Sequence, residues 1–254
     1  MNIKVITLPH AKERQEKTKI NFNLYDLKFD FINGVELKDC IFYTDYDNKT
    51  FVKCKNQNFY INEEKIINYT NRNWIRFGEI GAYLAHYFIW KDFLNCSEEY
   101  IIICEDDAEP KSNLSNLKKL FQNTNINFLN LQAVTAHYQK KNKMFIGSIV
   151  NYEEPGVVEY KNYIPLLCEG LAAYAMNKKA AKILCDYIEE YGFVGPNDCL
   201  TAQMAIQNIL SMYSPYDIEN YFMLDQQTYQ SSYTHTGEFR PYLKMNSITL
   251  NIKV

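Results

Sequence analysis

The sequence predicts an α/β fold with a mixed, mainly parallel central sheet flanked by helices, and three observations indicate it. The chain opens as strand, helix and strand at 3–8, 12–23 and 29–32, the order typical of a parallel sheet. A continuous apolar run at 100–104 is typical of a central strand covered on both faces. Apolar residues also recur at helical spacing in the segment 78–94.

The other predicted elements follow without a linker at which a domain boundary would be placed. Pro9 ends the first strand, and Asn33 with Gly34 is a turn signal. The polar, aromatic and Asn-rich residues 36–73 are expected to form an insertion with short strands. The later predicted elements are a helix at 112–121 with Ser112 as candidate N-cap, a strand at 126–131, strands and turns over 144–165, a strand at 171–176, a helix from Asn177 to Tyr191, a helix at 198–210, and a loop-rich tail from Pro215.

Composition and charge exclude several classes of function. The net charge of the 254 residues is −3 with no long basic block, which argues against a general nucleic-acid binder. Seven cysteines without a C-x-x-C pair predict reduced thiols and no zinc site. The chain contains neither G-x-G-x-x-G nor G-x-x-x-x-G-K-[ST], which argues against a dinucleotide oxidoreductase and an NTPase.

The expected location is the cytoplasm. The N-terminus, MNIKVITLPH, has no long apolar segment of the signal-peptide kind. No run approaches the ~20 apolar residues of a membrane span. Peripheral contact with the inner face of a membrane stays open.

The most unusual stretch is YIIICEDDAEP, residues 100–110, in which a buried-type strand runs into three adjacent carboxylates. Ligands of open α/β sheets bind beyond the carboxyl ends of the strands. If the backbone stays extended, Glu105 and Asp107 project to one side about 7 Å apart, and Asp106 to the other. Such carboxylates suit Mg²⁺ or Mn²⁺. The alternative, an acidic turn that satisfies backbone amides, is left open by the spacing alone.

Five stretches in order resemble glycosyltransferase family 25, which includes bacterial lipooligosaccharide galactosyltransferases and collagen galactosyltransferases. They span roughly residues 3 to 200. Ala85 and Asn177 stand where the family usually has Ser, and neither 36–73 nor the tail after 210 matches closely. The stretches are VITL at 5–8 with Glu13 and Arg14, GEIGAYLAH at 78–86, YIIICEDDAEP at 100–110, CEGLAAYAMNKKAA at 168–181, and VGPND at 194–198.

The resemblance implies a Rossmann-like nucleotide-sugar domain of the GT-A type in one domain, 1–254. Residues 1–110 would form the nucleotide-sugar half, and residues 111–254 the acceptor half and tail. The implied reaction is inverting transfer of galactose from UDP-galactose to a saccharide such as lipooligosaccharide, assisted by Mn²⁺ or Mg²⁺. The alternatives are transfer to protein hydroxyls or a modified nucleobase, a catalytically silent binding protein, and a metal-dependent hydrolase.

The resemblance also implies roles for residues at the donor site. Asp107 is the foremost metal ligand, with Glu105 and the late His235 as further candidates. For His86 a hydrogen-bonded structural role competes with contact to the nucleotide or the acidic loop, and His235 is alternatively an exposed loop residue. The implied donor-binding residues are Thr7, Leu8, Arg14, His86, Glu105 and Asp106; the Arg14 guanidinium suits a diphosphate, unless it lies on a solvated helix face.

Inverting transfer requires one general base to take the proton of the acceptor hydroxyl. Asp198 is the first candidate because it follows Gly195, Pro196 and Asn197 and opens a helix. Plain helix capping, which Asp does well, is the alternative. Glu169, beside Gly170, is the second candidate base, and pairing with a nearby Lys is its alternative.

Overall fold

A computed structural model describes residues 2–115, 117, 121, 126–132, 157–159, 171–215, 222–224 and 242–244. Its strands are β1 (Ile3–Thr7), β2 (Asp30–Asn33), β3 (Cys40–Thr44), β4 (Thr50–Cys54), β5 (Gln57–Tyr60), β6 (Trp74–Arg76), β7 (Tyr100–Glu105), β8 (Ala108–Pro110), β9 (Phe128–Asn130), β10 (Val157–Glu159), β11 (Ala173–Asn177), β12 (Met212–Pro215), β13 (Phe222–Leu224) and β14 (Tyr242–Lys244). Its helices are α1 (Lys12–Asn23), α2 (Glu63–Thr70), α3 (Phe77–Leu94), α4 (Lys178–Tyr191) and α5 (Asn197–Ile206), with a 3-10 turn at Leu37–Asp39.

The central sheet of the described residues has seven strands in the order β10-β12-β9-β11-β7-β1-β2. β1 pairs in parallel with both β2 and β7, so the predicted β-α-β opening is confirmed. β11 and β10 run antiparallel to their neighbours, while β12 is parallel to β9. Five of the seven strands therefore point the same way, and the predicted mixed, mainly parallel α/β sheet is confirmed.

β7 is central because both of its faces are covered. Ile101 and Ile103 pack into the core under α3 and α4, whereas Ile102 and Cys104 pack into the core on the α1 side. All four residues are buried. Successive side chains of a strand point to opposite faces, so the continuous apolar run supplies both cores.

The insertion contains the short strands that the sequence predicts. β3, β4 and β5 form a three-stranded antiparallel sheet, and Val52 and Phe59 on its inner face are buried against the core. The helix α2 was not predicted, although Asn62 caps it by accepting a hydrogen bond from the Lys65 amide (3.1 Å). An Asn before two acidic residues is an ordinary start signal that the polar composition obscured.

Two expectations for later elements have definite outcomes. Asn177 caps α4 as predicted, since its side-chain oxygen accepts a hydrogen bond from the Ala180 amide (3.0 Å). The helix expected over 112–121 does not begin at Ser112, because Leu114 has a φ of +57°, which a right-handed helix does not allow; Leu117 and Phe121 are helical. Residues 116, 118–120 and most of 144–165 lie outside the described residues.

The loop-rich tail contributes two strands that return to early parts of the chain. β13 pairs with β8, and β14 pairs with β6. Both lie within the half expected to bind the acceptor, yet they pair with strands of the other half. In the described part of the chain, no helix has the length and apolar character needed to cross a bilayer.

Candidate active site

A cavity of about 450 Å³ opens at the carboxyl ends of β1, β2 and β7. Because these three strands are parallel neighbours, their carboxyl ends meet at one edge of the sheet, where open α/β folds bind ligands. One face of α3 forms the wall opposite the strand ends. The cavity is lined by residues at the carboxyl ends of the three strands. It is also lined by α3 residues 77, 78, 81, 82, 85 and 86.

The cavity brings together six of the ten residues that the sequence singled out: Thr7, Leu8, Arg14, His86, Glu105 and Asp106. Asp107 and Asp198 do not line it. Glu169 and His235 lie outside the described residues, so their proposed roles stay predictions.

The expected arrangement of the three acids is wrong in one respect. We expected Glu105 and Asp107 on one side of an extended backbone, but residues 106 and 107 form a turn between β7 and β8. Glu105 and Asp106 line the cavity, and Asp107 does not. Glu105 is the more open of the lining pair, with its side chain 40% exposed.

Asp106 is held by the protein itself. Its Oδ2 accepts a hydrogen bond from Thr7 Oγ1 (2.6 Å), and its Oδ1 lies 3.0 Å from Arg14 Nη1. Thr18 Oγ1 donates to the Asp106 carbonyl (3.2 Å). Burial raises the pKa of Asp106, while Thr7 and the Arg14 charge act in the opposite direction. Arg14 therefore fastens α1 to the acidic turn, and its proposed contact with a diphosphate stays a prediction.

Asp107 has the most unusual environment of the three. Its Oδ1 is buried and accepts no hydrogen bond from the described residues. Burial, followed by the charges of Glu105 and Asp106, raises the pKa of Asp107 to about 7. A buried carboxylate with an unused oxygen is costly unless a proton or a cation joins it.

These carboxylates fit a divalent cation only in part. Mg²⁺ and Mn²⁺ take oxygen ligands, and Mg²⁺ is commonly held by one or two carboxylates, with water and phosphate oxygens as the remaining ligands. Glu105 supplies such oxygens at the cavity, and Asp107 supplies them in the turn that follows β7. Over the ranges that the structure describes, no three His, Cys, Asp or Glu residues form a metal-binding group. The two carboxylates could hold a cation that completes its shell with ligand oxygens.

His86 is both buried and in contact with the acidic strand end, so its two proposed roles coincide. Its side chain is 1% exposed. Nδ1 lies 2.7 Å from the Tyr174 hydroxyl, and Nε2 lies 3.4 Å from Glu105 Oε1. His86 therefore links the core to a carboxylate that faces the cavity.

Sequence reasoning missed the segment that follows β2. Gly34, Val35, Glu36 and Leu37 all line the cavity, and Glu36 pairs with His10 (3.2 Å) and Lys38 (2.7 Å). We assigned residue 36 to the insertion because the sequence turns polar there. Its position directly after a strand parallel to β1 is the signal that could have identified it.

Asp198 lies in the first turn of α5, where its Oδ1 accepts a hydrogen bond from the Cys199 amide (2.8 Å). The capping alternative is thus partly realised, although the N-cap residue itself is Pro196. Asn197 beside it has a buried Oδ1 without a hydrogen-bond partner among the described residues. The role of Asp198 as a base stays a prediction.

No curated protein sequence matches the chain. Mouse xyloside xylosyltransferase 1 in its apo form is 13% identical over 82% of this chain and 70% of its own, with a TM-score of 0.33. The galactosyltransferase LgtC, solved with donor and acceptor sugar analogues, is 13% identical over 80% and 70%, with a TM-score of 0.38.

Both superpositions are poor, so the assignment depends on the sequence family alone. The model of glycosyltransferase family 25, described as an LPS biosynthesis protein, matches residues 1–201. That span contains β1, α3, β7 and the cavity that they surround. Because the match covers most of the 254 residues, this chain belongs to glycosyltransferase family 25.

Proposed function

We propose that this protein transfers galactose from UDP-galactose to a saccharide acceptor, such as lipooligosaccharide, with inversion and with the help of Mn²⁺ or Mg²⁺. The observation that carries the proposal is the cavity at the carboxyl ends of β1, β2 and β7. Its volume of about 450 Å³ lies within the range of small-molecule sites. It joins a guanidinium to carboxylates, the groups that suit a diphosphate and a cation.

Glu105 and Asp107 would hold the cation. Asp107 does not line the cavity, so we expect its side chain to change rotamer when the cation binds. The bound cation would supply positive charge opposite the leaving diphosphate. Arg14 would add a second positive group: its Nη1 lies 3.0 Å from Asp106 Oδ1, and a guanidinium has five N–H donors.

In the proposed reaction the acceptor hydroxyl oxygen forms a bond to the anomeric carbon as the bond from that carbon to UDP breaks. The hydroxyl proton passes to a carboxylate acting as general base. We propose Asp198 for this role, with Glu169 as the second candidate. The leaving UDP keeps the electron pair of the broken bond, and the anomeric configuration inverts.

Product analysis tests the proposal. The enzyme is incubated with UDP-galactose and Mn²⁺, with and without a lipooligosaccharide acceptor, and the products are separated and their anomeric configuration is determined. We expect a galactoside of inverted configuration that forms only with acceptor. Free galactose released at the same rate without acceptor would indicate a hydrolase. Complete absence of UDP release, for every nucleotide sugar tested, would indicate a silent member of the family.

A further inference from the structure

Four polar side chains form a continuous row from the core to the cavity. Trp90 Nε1 lies 2.8 Å from the Tyr174 hydroxyl, which lies 2.7 Å from His86 Nδ1. His86 Nε2 in turn lies 3.4 Å from Glu105 Oε1. Trp90 and His86 are one turn apart on α3, Tyr174 is on β11, and Glu105 ends β7. The row thus crosses three elements and ends on a carboxylate that faces the cavity.

The chemistry of these groups determines which group donates in each hydrogen bond, and every bond in the row points from Trp90 toward Glu105. An indole N–H can only donate, so Trp90 donates to Tyr174. The Tyr174 hydroxyl has a single proton, and its one other partner among the described residues is His86 Nδ1. Burial raises the pKa of the Tyr174 hydroxyl well above its usual range. Tyr174 therefore keeps its proton and donates it to Nδ1.

A ring nitrogen that accepts a hydrogen bond has no proton of its own, so the imidazole proton lies on Nε2. Nε2–H then faces Glu105 Oε1 as a donor. The 3.4 Å separation is long for a hydrogen bond, but contacts of this kind commonly tighten when ligand binds. With the opposite tautomer, the Nε2 lone pair would face the carboxylate and repel it.

We propose that Tyr174, supported by Trp90, is a positioning residue that sets the His86 tautomer and through it aims the Glu105 carboxylate into the cavity. The packing suits this role. The Tyr174 ring stacks on Phe128 (4.9 Å between centroids, 12°) and on His86 (5.6 Å, 29°), and Trp90, Tyr174 and His86 are all buried. The inference depends on the proposed function only for the identity of the ligand that Glu105 meets.

Tyr174→Phe tests the proposal because it removes the hydroxyl and keeps the stacked ring. Tyr83→Phe is the matched control. Tyr83 is also fully buried, and its hydroxyl donates to the Gly192 carbonyl (3.0 Å) instead of to the row. Both variants lose one buried hydroxyl, so a purely structural effect would appear in both.

The first measurement is ¹⁵N NMR of the histidine rings without ligand. The chain has four histidines, and His86→Gln identifies the signal of His86. We expect the wild-type proton on Nε2, with Nδ1 as a hydrogen-bonded acceptor. In Tyr174→Phe the Nδ1 signal should move to that of an acceptor without a donor, and in Tyr83→Phe it should not move. A wild-type proton on Nδ1 would overturn the proposal.

The second measurement is calorimetric titration of UDP-galactose with Mn²⁺ into the same proteins. We expect Tyr174→Phe to raise the dissociation constant about tenfold, or ~1.4 kcal/mol, and Tyr83→Phe to leave it unchanged. Unchanged affinity in Tyr174→Phe, or equal losses in both variants, would contradict a positioning role. If the wild type fails to bind UDP-galactose, the proposed donor is wrong, and the ring-nitrogen signals still decide the direction of the row.

Discussion

Glu105, Asp106 and Asp107 are adjacent in the chain, yet each carboxylate has its own environment. Glu105 is partly exposed and touches His86. Asp106 is tied to Thr7 and Arg14, and Asp107 is buried with an oxygen that no described residue satisfies. The sequence alone could identify the acidic group but not this division, because it depends on the turn at 106–107 and on partners about a hundred positions away.

Asp107→Asn should abolish the stimulation of UDP binding by Mn²⁺. The amide keeps the shape of the carboxyl group but lacks the charge that a cation requires. The fold should persist, since a neutral amide is easier to bury next to Glu105 and Asp106 than a third carboxylate. Calorimetry with Mn²⁺ and UDP measures the effect, and Asp186→Asn, at an exposed acid paired with Lys182, is the control. Wild-type Mn²⁺ affinity in Asp107→Asn would remove Asp107 from the metal site.

Asp198→Asn should leave UDP binding intact and lower the transfer rate about 100- to 10,000-fold, which is the usual contribution of a general base. Asn cannot take the acceptor proton but can still accept the hydrogen bond from the Cys199 amide, so the start of α5 is preserved. Steady-state kinetics with UDP-galactose measures the loss. Turnover at the wild-type rate would exclude Asp198 as the base and leave Glu169 as the candidate.

At the scale of elements, α3 organises the site because it contacts the loop after β2 closely. A Cβ on Gly81 would lie 2.4 Å from the Val35 carbonyl oxygen, closer than any van der Waals contact. Val35 and Gly81 both line the cavity. The second glycine of GEIGAYLAH is therefore explained by backbone packing, a cause that the motif alone did not reveal.

Gly81→Ala should lower the free energy of unfolding by about 1–3 kcal/mol, the usual cost of overpacking, because α3 and the loop after β2 must separate. Gly78→Ala is the matched control, since no atom lies within 4 Å of a Cβ there. Helix propensity alone should make that variant more stable by up to ~1 kcal/mol. Urea denaturation of both variants measures the difference. Equal stability of the two would contradict the close approach.

A polar contact joins α3 to α4 through residues that do not line the cavity. Glu189 Oε1 accepts hydrogen bonds from Lys91 Nζ (2.6 Å) and the Tyr87 hydroxyl (3.0 Å). The hydrogen bond from Lys91, followed by that from Tyr87, lowers the pKa of Glu189 from its ordinary 4.5. A lowered acid pKa stabilises the fold above the unfolded pKa, and this contribution is lost as the pH falls through the folded pKa.

Glu189→Gln should therefore reduce stability by about 0.5 kcal/mol at pH 7, a small value because solvent screens the half-exposed pair. The difference from wild type should disappear as the pH falls well below 4.5. Denaturation curves between pH 3 and pH 7, a span of about 4 units around the ordinary carboxyl pKa, measure it. A stability difference that is constant over this span would contradict the electrostatic explanation.

At the scale of the whole molecule, local patterns predicted most elements but not their arrangement. α1 follows from its charged, helix-forming residues, α3 from apolar residues at helical spacing, and β7 from a continuous apolar run. The structure has all three within a residue of the predicted bounds. The antiparallel insertion of β11 between β7 and β9 depends on contacts between distant segments, which no local pattern records. The location of the cavity at the carboxyl edge of the sheet was predictable from the sequence. Glu36 was missed because it lines the cavity only through the pairing of β2 with β1.

The most direct test of a donor site in this cavity is calorimetric titration of UDP-galactose into the wild-type protein with Mn²⁺ and again with EDTA. We predict binding with Mn²⁺ that weakens at least about tenfold, or ~1.4 kcal/mol, when the cation is removed. Arg14→Ala should weaken binding in both conditions, because it removes a charge from the cavity without touching the cation. Equal affinity in Mn²⁺ and EDTA would contradict the metal site, and failure to bind any nucleotide sugar would contradict the donor site itself.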